Sequence, residues 1–267
     1  MKKTVHICAV AAALGVIALA NSCSQKPQKA LRVVQYNIGA FSKEIENSIP
    51  MISDMMKELG ADVVSLNELD SCNRRHENYQ LADFAKAMGG WNYSYSSSFS
   101  YQGGGYGVGV ATKAEILDSF RIGLDKEDGS EYRSCSVVET PDYVLASTHL
   151  DHVSMTAQLH QAQTLTSVLV EKYGASRKPV ILCGDMNAEP ESETIKSLLQ
   201  EWDLVSCADL TYPADAPRKC IDYVFVLRNK AKYEVTETCV PMSFQTGDVA
   251  IASDHCPMFV ELLISGK

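Results

Sequence analysis

Pro179-Val180-Ile181-Leu182-Cys183-Gly184-Asp185-Met186-Asn187 sets an acid and an amide directly at the end of an apolar run. The run is short and rich in Val and Ile, which reads as a β-strand. Asp185 would then sit partly buried at the strand's carboxyl end, where a carboxylate needs a partner or a metal to stay charged. Taken alone, Gly-Asp-x-Asn also suits a turn, so the stretch gains meaning from its surroundings.

Working outward, the same arrangement recurs at Gln35-Tyr36-Asn37, Asn67-Glu68, Thr148-His149-Leu150-Asp151-His152, Ile221-Asp222-Tyr223 and Ser253-Asp254-His255. Each polar cluster closes an apolar run or precedes one. Strand-like runs are expected over 31–36, 62–66, 106–111, 134–139, 143–147, 179–183, 221–226 and 257–263. Two helices are expected between them. One carries Ile52, Met55, Met56 and Leu59 at three-four spacing and stops at Gly60; the other runs over 158–173 and stops at Gly174. Strands and helices mixed without strict alternation indicate a layered α/β architecture. Gly103-Gly104-Gly105 lacks the Gly-Lys-Ser/Thr continuation of a phosphate-binding loop and reads as a turn.

Carboxylates at strand ends stand at the rim of a sheet, where ligand crevices form. Glu68 and Asp254 hold such positions, and Asn37 ends the first strand. Oxygen donors of this kind suit Mg²⁺, with Mn²⁺ as the alternative of like preference. His149 and His255 follow or adjoin strands and could stabilise charge or move a proton near neutral pH. His76 and His160 have no acidic or motif context that promotes them. The pooled inventory is what is needed to hold a hard cation and cleave a phosphate ester.

The ends of the chain carry a separate message. Lys2 and Lys3 precede an apolar stretch from about Ile7 to Ala20, and Ala20-Asn21-Ser22 stands before Cys23. This reads as a secretory signal over 1–22, too short for a transmembrane helix. A cysteine after small residues resembles a bacterial lipoprotein signal, with Cys23 lipidated and 23–30 serving as a polar tether. An ordinary cleaved signal is the alternative, and Asn21 departs from the small residue usual two places before such a cysteine. The expected location is the cell envelope, with a membrane contact through the Cys23 anchor.

Removing 22 of the 267 residues leaves 245, enough for one large domain over 31–267. It also moves the formal charge from −9 to −11. Such acidity argues against non-specific grip on nucleic acid, which rests on Lys and Arg neutralising phosphates. Seven cysteines remain beyond Cys8 and Cys23. Their odd number and the lack of Cys-x-x-Cys indicate neither a disulfide framework nor a zinc site.

The ordered motifs Thr-His-Leu-Asp-His, Gly-Asp-Met-Asn, Ile-Asp-Tyr-Val and Ser-Asp-His-x-Pro resemble those of the endonuclease/exonuclease/phosphatase superfamily of metal-dependent phosphoesterases. The likeness runs from about Leu31 to Leu263. It implies a four-layer α/β/β/α sandwich of the DNase I-like kind. It further implies that Asn37 and Glu68 lie at the metal, with Asp254 holding it directly or through water. Asp185 would activate or orient the attacking water, and Asn187 would position the phosphate and Asp185. Asp222 would orient His255, and His149 would contact the phosphoryl oxygens. Glu131 and Arg133 match a Glu-x-Arg strand in which the glutamate braces His149 and the arginine approaches the phosphate.

Two departures, Asn67 for a usual glutamine and Met186 for a frequent aromatic, remove no reacting group. The resemblance thus implies hydrolysis of a phosphodiester or phosphomonoester by in-line attack of water. The acidic balance points to a small or lipid-derived ester, ahead of an exported nuclease or a non-catalytic binding lipoprotein. The base, Asp185 or His255, stays open. The substrate-selecting loops are expected at 93–106 and 208–218, where Tyr93, Tyr95, Phe99 and Tyr101 form either an aromatic wall or ordinary packing.

Overall fold

A computed structural model describes residues 28–265; the signal segment, Cys23 and most of the tether lie outside the described residues. In chain order the strands are β1 (Gln28–Asn37), β2 (Val63–Ser71), β3 (Asn92–Tyr101), β4 (Gly104–Thr112), β5 (Asp118–Leu124), β6 (Arg133–Glu139), β7 (Val144–His149), β8 (Val180–Asp185), β9 (Trp202–Leu204), β10 (Asp222–Leu227), β11 (Tyr233–Cys239) and β12 (Met258–Ser265). The helices are α1 (Ile49–Glu58), α2 (Gln80–Ala87), α3 (Met155–Tyr173), α4 (Glu193–Leu198) and α5 (Val249–Ala252), with a 3₁₀ turn at Gly39–Phe41.

The strands form two six-stranded sheets, ordered β11-β12-β1-β2-β4-β3 and β5-β6-β7-β8-β10-β9. Each is mixed and has one parallel pair near its middle: β1 with β2, and β7 with β8. Parallel neighbours need a crossover. Helix α1 supplies the first and α3 the second. The sheets face each other, α1 and α2 cover the first, and α3 and α4 cover the second. This is the four-layer DNase I-like sandwich anticipated from the sequence. Among the described residues no helix is long and apolar enough to cross a membrane.

Strand alternation explains how one short run serves two cores. Ile181 and Cys183 of β8 point between the sheets, whereas Val180 and Leu182 point toward α3. In β10, Val224 and Val226 take the inner face, and Tyr223, Phe225 and Leu227 the outer. All nine are buried except for at most 2% of their surface. Full burial of such side chains stabilises by about 1.5–3 kcal/mol each before entropy is counted.

The seam between the sheets is partly polar. Ser65 Oγ donates to Gln35 Oε1 at 2.7 Å and lies 2.8 Å from Ser147 Oγ. Asn67 Oδ1 accepts from Gln35 Nε2 at 2.6 Å and from the Asp185 backbone N–H at 3.0 Å, while its Nδ2 donates to Thr148 O at 2.8 Å. Asn67 thus bonds both strands of the opposite parallel pair. The position that departs from the usual glutamine joins the two halves of the molecule.

The helix endings follow the sequence closely. Gly60 takes φ +68 just after α1, the left-handed form that glycine adopts without strain. Helix α3 starts three residues earlier than expected because Ser154 Oγ accepts from the Ala157 backbone N–H at 3.2 Å. The stretch expected as a loop at 93–106 is instead the β3–β4 hairpin. Its turn is at Gln102 and Gly103, and Gly104 already pairs as strand. A Cβ on Gly104 would lie 2.2 Å from Ser71 O, so strand β2 approaches too closely for any side chain.

Candidate active site

Both parallel pairs end in register. Asn37 stands opposite Asn67 across β1 and β2, and His149 stands opposite Asp185 across β7 and β8. Because the sheets face each other, these ends meet at one cleft. Antiparallel pairing sets Asp222 of β10 opposite Asp185, and the segment before β12 delivers Asp254 and His255. The cleft holds about 280 Å³ and is lined by Glu68, Glu131, Arg133, His149, Asp185, Asn187, Asp254 and His255, with Lys43, Tyr106, His152 and Tyr212.

A hydrogen-bonded chain runs through it. His255 Nδ1 donates to Asp222 Oδ2 at 2.8 Å, and Gln35 Nε2 donates to the other Asp222 oxygen at 3.2 Å. His255 Nε2 lies 3.5 Å from Asp185 Oδ2. Asp185 is held at both oxygens: Oδ2 accepts from Asn37 Nδ2 at 3.0 Å, and Oδ1 from the Asn187 backbone N–H at 2.9 Å. Burial raises the Asp185 carboxyl well above the usual carboxylate range, His255 opposes that shift and Asp222 reinforces it. Burial would lower His255, but the charges of Asp222 and Asp185 outweigh it and raise the imidazole above its ordinary value. An oriented carboxylate beside an oriented imidazole forms a unit that can accept and hold a proton.

His149 is different. Burial, Arg133 and the neighbouring imidazole of His255 all lower it, so this ring is neutral near pH 7. Asn187 Nδ2 donates to His149 Nε2 and to Leu150 O, both at 3.0 Å. His149 Nε2 also lies 3.5 Å from Asp185 Oδ2, and Nδ1 is buried with no partner among the described residues. Arg133, 2% exposed, also has an unpartnered buried donor at Nε, and its Nη2 donates to His152 Nδ1 at 3.0 Å. Buried donors without acceptors are costly and rare. Arg133 and His149 both line the cleft.

Glu68 lies at a bulge where β2 slips against β4, with φ +61. That conformation is strained for a non-glycine residue and occurs at functional positions. Its Oε1 accepts from Asn37 Nδ2 at 3.1 Å. Asp254 Oδ2 pairs with Lys43 Nζ at 3.0 Å. Burial would lower the Lys43 ammonium, but the Asp254 hydrogen bond and the Glu68 charge more than offset it, so it is raised. The two carboxylates therefore already draw a cation to the cleft mouth, as a hard divalent ion's oxygen donors should. Asp185, Asp222 and His255 also bring ligand-type atoms within 4.8 Å of one another. His255 Nδ1 is bonded to Asp222, which leaves its Nε2 toward Asp185.

Every residue anticipated from the sequence lies at this cleft or bonds a residue that does. Asn37 and Glu131 make contacts that the sequence did not specify. Asn37 turns its NH₂ toward Glu68 and Asp185, and its Oδ1 accepts from the Gly39 backbone N–H at 3.2 Å. It therefore bonds Glu68, the expected metal carboxylate, as well as Asp185. Glu131 pairs with Arg133 at 3.3 Å and makes no bond to His149. The two residues are two apart and share one side of the chain, which carries the carboxylate to the arginine.

Sequence reading passed over Lys43, Tyr106 and Tyr212, and gave His152 no role. Tyr106 belongs to a strand with no flanking acid or histidine. Lys43 and Tyr212 lie in loops without periodicity. His152 alone carried a signal, as the last residue of Thr-His-Leu-Asp-His. Buried Asp151 beside it accepts from the backbone N–H of Ser130, Val153 and Ser154 at 2.8–2.9 Å and holds two rim loops together.

Comparison with known proteins agrees with this geometry. Residues 34–255 match the model of the Endonuclease/Exonuclease/phosphatase family. An endonuclease/exonuclease/phosphatase from Bacteroides vulgatus superposes with a TM-score of 0.73 at 18% identity, covering 88% of this chain and 99% of that one. A mannosyl-6-phosphatase from Bacteroides thetaiotaomicron gives 0.72 at 18%, covering 88% and 100%. The catalytic domain of human Nocturnin gives 0.66 at 16%, covering 90% and 96%. At these identities the likeness is one of fold. No curated protein sequence matches the chain significantly. The family match spans both parallel pairs and every cluster at the cleft, and the chain belongs to the endonuclease/exonuclease/phosphatase family, whose members are hydrolases of phosphoester bonds.

Proposed function

We propose that the protein is a divalent-metal-dependent phosphoesterase that hydrolyses a small or lipid-derived phosphate ester by in-line attack of water. The observation that carries this is the pairing, in one cleft, of Arg133 and His149 with the Asp185–His255–Asp222 chain. Glu68 and Asp254 would hold Mg²⁺ or Mn²⁺, and Asn37 would orient Glu68; bound there, the ion supplies Lewis-acid stabilisation of a phosphoryl oxygen.

The rest is done by the chain itself. Asp185 and His255 act as one unit that takes the proton from the attacking water. Asp222 holds the imidazole in the tautomer and orientation this requires. His149, Asn187 and Arg133 meet the charge that builds on the phosphoryl oxygens. The mannosyl-6-phosphatase among the structural relatives supports a small substrate over nucleic acid, as does the formal charge of −9. We further infer an exported, lipid-anchored protein from the Cys23 context.

Release of nitrophenol from mono- and bis-nitrophenyl phosphate, run with and without EDTA beside plasmid nicking, tests the reading. EDTA-sensitive ester hydrolysis without nicking is expected. Inactivity on both esters with Mg²⁺ and Mn²⁺ present would end it, and dominant nicking would replace it with a nuclease.

A further inference from the structure

A cavity larger than the cleft lies outside the chemistry. About 750 Å³ opens beside the catalytic cleft, between the loop after β1 and the loop after β2. The loop after β1 also borders the cleft. Lys43 lines the cleft and Ile45 to Asn47 line the cavity, while Glu68 precedes the strand end that leads to Arg75 and His76. Arg75 stands at the boundary, its guanidinium carbon 4.9 Å from the Tyr101 ring centroid and 6.0 Å from that of Tyr106, a cleft residue.

The polar lining is built and oriented. Asp70, fully buried, accepts from Arg75 Nε at 2.7 Å and Nη2 at 2.9 Å, and lies 2.5 Å from His76 Nδ1. Its own backbone N–H donates to Gln80 Oε1 at 2.8 Å, and Gln80 Nε2 donates to Ala40 O at 2.6 Å. One glutamine of α2 thus ties the end of β2 to the turn after β1. Arg75 Nη1, His76 Nε2 and Asn47 Nδ2 remain without a bond among the described residues. Phe41, Ile45 and Ile49 supply an apolar side, and Glu46 adds a carboxylate at the rim.

We propose that this cavity seats the leaving group of the ester, and that the leaving group is a polyol such as a sugar. The proposal rests on the phosphoesterase reading above. Amides, a guanidinium and a carboxylate around an apolar wall match a ring that shows hydroxyls at its edge and C–H groups on its face. A second phosphate fits less well: Asp70 already neutralises Arg75, and Glu46 would repel it. The volume exceeds what an aryl or methyl leaving group needs. The site selects among esters through ground contacts distant from the reacting phosphorus, so its residues determine specificity and are not catalytic.

The test compares hexose 6-phosphates, hexose 1,6-bisphosphates and nitrophenyl phosphate with the wild-type chain, Glu46→Gln and Asn47→Asp. Asn47→Asp keeps the oxygen that accepts from the Ile49 backbone N–H at 3.1 Å and removes the free donor. In the wild type, kcat/KM for a hexose monophosphate should exceed that for nitrophenyl phosphate by about ten-fold or more. Each variant should lower the hexose value by about five-fold or more and leave the nitrophenyl value within about two-fold. Saturation-transfer NMR with free glucose, mannose and galactose, in EDTA, should show contacts in the wild type that fade in both variants.

Equal rates on the sugar and aryl esters, variants silent on the sugar ester, or a preference for the bisphosphate would each overturn the polyol subsite and leave the phosphoesterase reading intact. Inactivity on every ester with metal present would overturn both.

Discussion

The two parallel units, β1–α1–β2 and β7–α3–β8, occupy equivalent places in facing sheets, yet they bring their functional ends together by different means. The second is regular: β7 and β8 hold register to their last residues, and His149 and Asp185 emerge side by side. The first is irregular at its end. Glu68 lies in a bulge with φ +61, and Gly39, Ala40 and Phe41 take φ values of 51 to 53 just past β1. A regular strand end fixes side chains by pairing alone, which suits groups that must hold a hydrogen-bonded relay. A bulge re-aims one side chain away from the pleat, which suits a carboxylate proposed to meet a metal ion.

If that contrast is a division of labour, damage to the two units will differ in kind. Asp185→Ala or His149→Ala should reduce turnover of the nitrophenyl ester at least about 100-fold, with no recovery as Mg²⁺ is raised. Glu68→Gln should lower activity at sub-saturating metal and shift the metal midpoint upward by about ten-fold or more, the scale on which altered metal-site groups act. Metal titrations of purified variants separate the two. If all three variants respond alike to added metal, the division fails.

The seam between the units gives the next effect. Asn67→Ala removes the acceptor for the Asp185 N–H and the donor to Thr148 O. Unfolding in urea should show a loss of about 1–3 kcal/mol, the cost of leaving buried polar groups unpaired. A variant as stable as the wild type would mean that water replaces the amide.

The smallest effect compares the crossover helices. Ser154 caps α3 through its side chain, whereas Ser48 before α1 makes no such bond and its buried hydroxyl has no partner among the described residues. Ser154→Ala should destabilise by about 1 kcal/mol, and Ser48→Ala by less. Equal losses would show that the hydroxyl bonds do not distinguish the two helix starts.

What the sequence disclosed follows the same physics. The eight strands anticipated from it are interior strands of the two sheets. The four missed, β3, β5, β9 and β11, are the four sheet edges. Edge strands face solvent along one side, so Tyr233–Cys239 alternates Glu and Thr with Val, and Asn92–Tyr101 is dominated by Ser and Tyr. Neither leaves an apolar run to read. At the cleft, residues that end interior strands were legible because a polar cluster after an apolar run is conspicuous. Lys43 and Tyr212 arrive by loops, and only the fold brings them in. The Ser/Tyr segment split in two: Tyr93 and Tyr95 pack edge-on against Tyr79, and Phe99 and Tyr101 pack at a tilt against Tyr106.

The amide seam has one more consequence. Gln35 and Asn67 bind the walls of the cleft to each other, so the cleft is a joint between sheets and not a property of either sheet. A slight parting of the layers would misalign Asp222, Asp185 and His149 together while every strand kept its own hydrogen bonds. Catalysis should therefore fade at lower denaturant than the circular dichroism of the strands, making activity the more sensitive gauge of how tightly the two layers are clasped.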